Sequence, residues 1–185
     1  MISLFGVDAV FECLNHGGCV GRVGFIYLLF AMMLGCSVNP PKENTFIANF
    51  YAHRSAYEHL RDMLQADRQV FRVTSSGVET ANSAGLSNTP PKGGFPVERY
   101  NEYLALLKET GAKGVFRWGG EHSQDVGIAV WGSGWGGDTR HLAIAWMEHE
   151  PTNQVASLDA FYQSPKPRNP TFRRIDGNWY FWADW

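Results

Sequence analysis

Between Phe46 and Leu64 an aromatic, apolar or imidazole side chain returns every four or three residues, at Phe46, Phe50, His53, Tyr57, Leu60 and Leu64. That spacing places all six on one helical face, with Arg54, Glu58, Arg61 and Asp62 largely elsewhere. His53, inside the stripe, reads as a core or boundary residue rather than a ligand. The period then drops to two. In "QVFRVTS", Val70, Arg72 and Thr74 alternate with Phe71 and Val73, which predicts a strand. Residues 75–94, "SSGVETANSAGLSNTPPKGG", read as one long loop, a surface excursion or a binding loop.

A second helix is punctuated at both ends. Pro96 suits the first helical position, Glu98 lies where the helix dipole favours an acid, and Gly111 supplies the stop. Its apolar face is expected to be Val97, Tyr100, Leu104 and Leu107. From Gly114 onward the pattern is antiparallel sheet. "VGIAVWGSGW" and "TRHLAIAWMEH" are strands joined through "GGD", and "TFRRI-DG-NWYFWADW" makes a final hairpin around Asp176-Gly177. Leu142, Ile144 and Trp146 face one side, while Ala143, Ala145 and Met147 face the other. Apolar residues on both faces predict a central strand covered on both sides. Pro-rich "QSPKPRNP" is an excursion from the sheet.

The order predicts one α+β domain over residues 46–185, two helices packed on a four- to five-stranded antiparallel sheet with C-terminal hairpins. In element order alone it resembles NTF2-like domains, whose helices pack in a curved sheet. Bulk composition agrees with one domain. The chain has 185 residues, 44% of them hydrophobic and 18% charged. A net charge of -2 gives no electrostatic case for nucleic-acid binding. Cys13, Cys19 and Cys36 all precede the domain, which rules out a disulfide scaffold or thiolate zinc site within it.

Upstream, "YLLFAMMLGCSVNPPK" is an apolar run that ends at a cysteine and turns polar at once. Val23–Gly35 is 13 residues long, short of the about 20 a membrane span needs and right for the core of a signal peptide. Arg22 precedes it, and Asn39, Pro40 and Pro41 end any helix. Met33-Leu34-Gly35-Cys36 resembles the lipobox of bacterial lipoproteins, with Met33 where the family prefers leucine. The resemblance implies a signal peptide over 1–35, a diacylglyceryl thioether on Cys36 and a tether over 36–45. It also implies acylation of the new amino terminus, and Ser37 implies the outer membrane, facing the periplasm. Several acyl chains anchor stably where one does not. Asp8 and Glu12 sit where a signal peptide is basic or neutral, so residues 1–19 read as a mis-assigned start, with Val20 the expected initiator.

Familiar catalytic motifs are missing. Trp131 and Trp135 stand where a nucleophile elbow around Ser133 needs glycines. No phosphate-loop lysine follows the glycines of "WGSGWGGDTR", and H-E-x-x-H is absent. Glu121, His122, His141 and His149 are the acid–base or metal candidates, yet His141 and His149 are about 27 Å apart on an unbroken strand. No metal, cofactor or catalytic residue is assigned. Tyr180 and Trp182 on the last strand, with Arg168, Arg173 and Arg174 nearby, are the binding candidates: aromatic faces for a sugar or a protein, cations for an acidic partner. The expectation is a lipid-anchored envelope protein with a non-enzymatic binding role toward an envelope protein partner, as accessory or toxin-immunity protein. The alternative is an envelope hydrolase with a histidine base.

Overall fold

The fold was analysed in a computed structural model, which describes residues 40–81, 95–119, 122–133, 139–163 and 170–184. These residues belong to one compact unit, Asn39–Trp185. The expectations for residues 1–35, Cys36 and the start at Val20 lie outside the described residues. The helical stripe forms two helices, α1 (Glu43–Ala52) and α2 (Arg54–Ala66), where the spacing predicts one. His53 joins them with φ -122° and ψ 26°, outside helical geometry. Its half-exposed ring lies 3.9 Å from Glu109, a boundary position. The bend keeps the Phe50 and Tyr57 rings together at 5.5 Å, and Phe50 also reaches Trp179 at 5.4 Å. Leu60 and Leu64 are wholly withdrawn from water, each stabilising the fold by about 2 kcal/mol.

Helix α3 (Val97–Thr110) begins one residue later than expected, with Pro96 as its cap residue. It ends at Gly111, whose φ of 69° lets Ala112 N donate back to the Leu107 carbonyl at 2.9 Å. Tyr103, not Val97, joins Tyr100 and Leu107 on its buried face, and Val97 is exposed. A fourth short helix, α4 (Leu158–Gln163), lies just before the Pro-rich excursion, where no helix was expected.

Seven strands form one antiparallel sheet, where four or five were expected: β1 (Val70–Thr74), β2 (Gly77–Thr80), β3 (Gly114–Arg117), β4 (Val126–Ser133), β5 (Arg140–Trp146), β6 (Thr171–Asp176) and β7 (Trp179–Asp184). Their order across the sheet is β2-β1-β3-β4-β5-β7-β6. The extra strand β2 sits inside the expected loop, folded back by a turn at Ser75 and Ser76. Both β2 and β3 have only four residues, too few to show an alternation. An irregularity between Val70 and Arg72 also breaks the alternation expected in β1, so Val70 and Val73 are both buried.

Pairing register assigns the faces. Val78, Val73, Val115, Ile128, Ile144 and Phe181 align across six strands on one face. Together with residues from all four helices they make the core. Arg117 lies at the rim of this face and is nearly buried. Its guanidinium donates to the carbonyls of Leu64, Val70 and Ser123, stapling the last turn of α2 to β1 and to the β3–β4 connection. Burial holds its pKa below the usual arginine value. The outer edge of β6 is covered by residues 153–156. Phe172 N donates to Asn153 O and Val155 N donates to Phe172 O, both at 2.7 Å.

Two helix starts are joined by an exchange of carboxylates. Glu43 N donates to Asp159 Oδ1 at 3.1 Å, and Leu158 N donates to Glu43 Oε2 at 2.7 Å. Arg173 Nε on β6 lies 3.3 Å from the same Glu43 oxygen. Each acid thereby caps the other's helix, where backbone N–H groups lack intrahelical partners.

Candidate functional site

The face that no described helix covers follows from the same register. Glu79, Arg72, Phe116, Gly127, Ala145, Tyr180 and Arg174 align in one row from β2 to β6. The next row runs Gly77, Thr74, Gly114, Ala129, Ala143, Trp182 and Phe172. Beyond it, Gly132, His141 and Asp184 align. The centre of this face is therefore made of glycine and alanine, with large side chains on either side. Small residues over the middle strands leave a trough, a cavity of about 670 Å³ bordered by Phe116, Trp131, Trp182 and charged rim residues. That size lies within the range of small-ligand sites, about 300–1,000 Å³. From β1 to β7 the trough crosses four strand spacings, about 19 Å.

The aromatic border is braced. The Phe116 and Trp118 rings meet edge-on at 4.8 Å, Trp118 and Trp182 at 5.3 Å, and Phe116 and Trp182 at 6.4 Å. Phe116 lies over Gly127, and a Cβ there would come within 2.4 Å of the ring. Only glycine lets the ring settle that low. Trp131, beside an irregularity in the β4–β5 pairing, packs against the core and also borders the trough.

The rim carries both signs. Arg72 and Glu79 are ion-paired at 2.6 Å, Lys113 Nζ donates to the Gly132 carbonyl at 3.3 Å, and His141 and Asp184 are cross-strand neighbours. Arg117 also borders the cavity, but its donors are committed to carbonyls. Around an aromatic and small-residue centre the border thus carries Arg72, Lys113, Glu79, Asp184 and one imidazole, His141.

The expected binding residues separate. Trp182 borders the trough. Tyr180 lies on the same face but is buried, with Arg174 stacked 5.8 Å from its ring centre and Phe172 edge-on at 6.5 Å. Arg173 points to the opposite face and is bound to Glu43 and to the Ala156 carbonyl. Strand alternation therefore splits the expected basic group, and Arg168 lies outside the described residues. Among the weaker candidates, His141 is at the rim, and Glu121 lies outside the described residues. His122 lies in the β3–β4 connection and His149 beyond β5, at the other end of β5 from His141. Among the described residues no three histidine, cysteine or carboxylate side chains are grouped to hold a metal. No described helix is long and apolar enough to cross a membrane.

Phe116, Arg72, Glu79, Lys113 and Asp184 were not expected in a site. Three of them lie on β1, β2 and β3, whose face assignments require the pairing register. One signal was present: "VGIAV" and "LAIAW" alternate large with very small residues. No protein-family model, no curated protein and no solved structure matches the chain.

Proposed function

We propose that the protein is lipid-anchored in the bacterial envelope through Cys36 and binds a ligand in the trough on the face that no described helix covers, without catalysing a reaction. The trough carries the reading: it has an aromatic border, a small-residue floor and a mixed-charge rim, and among the described residues that border it no serine or cysteine accompanies its one histidine. The lipobox resemblance supports the location. Of the accessory and toxin-immunity roles, the concave trough favours the accessory. An inhibitory protein complex needs about 800 Å² from each partner.

Two measurements test this. A clickable fatty acid fed to a Gram-negative host should label the protein and fail to label Cys36→Ala; label on neither removes the anchor. Hydrogen exchange of the full chain with envelope extract should protect 141–146 and 179–184 above the other strands. Uniform exchange removes the trough as the binding site.

One observation favours the hydrolase alternative: His141 faces Asp184 across the β5–β7 pair, an arrangement able to orient an imidazole. It predicts that His141→Asn abolishes turnover of a cell-wall or lipid substrate while binding survives. Equal turnover by the variant ends that reading.

A further inference from the structure

We infer that residues 153–163, which end in α4, form a strap that opens as one unit from the outer edge of β6 while the sheet stays folded. Glu43 is its latch, and the edge beneath it is a strand-acceptor surface held closed in cis.

Three features of the attachment point to it. The first is the way the strap lies on β6. Phe172 N donates to Asn153 O and Val155 N donates to Phe172 O, so Gln154 sits beside Phe172 in a single parallel bridge. The strap thereby occupies the edge as the first rung of an added strand. Main-chain groups alternate sides along a strand, so those of Arg174, two residues on, point to the same outer edge. An extended peptide bonded at both positions would continue what the strap begins. The second is how little holds the strap by apolar contact. Its nearly or fully buried side chains are Leu158 and Phe161, and α4 has six residues, too few to keep its shape without tertiary contact. Strand β6 pairs with β7 from Thr171 to Asp176 and keeps its place without the strap. Exposing two side chains costs a fraction of exposing the whole core, so the strap opens before the sheet. The third is where the polar contacts gather. Glu43 Oε2 accepts from Leu158 N at 2.7 Å and lies 3.3 Å from Arg173 Nε, which also donates to the Ala156 carbonyl at 3.2 Å. Asp159 accepts in return from Glu43 N at 3.1 Å. One carboxylate thus holds both the strap and the strand beneath it.

Amide hydrogen exchange read by NMR on the full chain tests both halves. Val155, Leu158, Phe161 and Phe172 carry the hydrogen-bonded amides that opening would release. In the wild type these four should exchange at one rate, about a hundredfold faster than the amides of β5 and β7. The Arg173 amide, which points to β7, should exchange with the sheet. Glu43→Ala should speed the four about tenfold and leave β5 and β7 unchanged. Glu43→Gln, which keeps an oxygen for Leu158 N, should fall between. A peptide with the sequence of Pro151–Ser157, blocked at both ends and added at millimolar concentration, serves as the strand probe. It should slow the Phe172 and Arg174 amides in Glu43→Ala, and much less in the wild type, where the strap competes. Strap amides that exchange no faster than the sheet overturn the strap, and so does a Glu43→Ala effect spread evenly over all strands. A peptide that protects neither amide in Glu43→Ala overturns the acceptor edge.

Discussion

Gly127 has no side chain, and the aromatic border of the trough depends on that. A Cβ at this position would lie 2.4 Å from Phe116 Cζ and 2.6 Å from its Cε2, with no backbone freedom to absorb the overlap in mid-strand. Phe116 in turn touches Trp118 and Trp182. Gly127→Ala should therefore cost about 2 kcal/mol in urea denaturation, the usual scale of overpacking. It should also alter the near-ultraviolet dichroism of the tryptophans. A variant as stable as wild type with an unchanged spectrum would show that the ring is free to move away. At this scale the sequence is partly legible. Large residues alternate with glycine or alanine in "VGIAV" and "LAIAW", and the large set does form the core. The small set was read as a covered second face, and it is instead the floor of a trough. Alternation fixes which residues share a face, but it does not say whether a second layer lies on that face.

Two elements, α2 and α3, each bury a phenol against the sheet. Tyr57 donates to Asn49 Oδ1 at 2.7 Å and Tyr103 donates to Asp67 Oδ2 at 2.9 Å. Burial pushes both phenols well above their ordinary pKa of 10.0, and for Tyr103 the Asp67 carboxylate adds to the shift. The folded state thus holds protons that the unfolded chain releases above pH 10. Their contribution is complete below that pH and is lost as pH rises toward the folded values. Each should subtract about 1.4 kcal/mol of stability per pH unit in that window. Urea midpoints measured from pH 8 upward should fall steeply past pH 10 in the wild type. In a Tyr57→Phe/Tyr103→Phe double variant they should fall more gently. Equal slopes would mean that the phenols ionise in place. Helix positions were legible from period and punctuation, since α3 carries its own start and stop. The break at His53 was not, because neither proline nor glycine marks it and tertiary contact of Phe50 and Tyr57 decides it. Strand β2 escaped because four residues carry too little pattern, and β3, although sheet was expected from its first residue Gly114, is likewise too short to stand out as a separate strand.

At the scale of the whole fold, the seven described strands take the described helices on one face and leave the trough on the other, so the packed core and the trough occupy opposite sides of one sheet. The exchange of caps at Glu43 and Asp159 has a mechanical consequence. A pull delivered through residues 40–42 enters the fold at Glu43. There the backbone N–H is held by α4, and the carboxylate is held by α4 and by Arg173 of β6. The load is spread over two helices and a strand, and α1 does not unwind from its end one turn at a time. In an optical trap pulling residue 40 against residue 184, Glu43→Ala should lower the first rupture force and separate an early α1 step from the main event. An unchanged trace would place the resistance elsewhere. Because β6 pairs with β7, which carries Trp182, the point that bears tension is tied directly to one wall of the trough. A pull at residues 40–42 would then leave that wall standing.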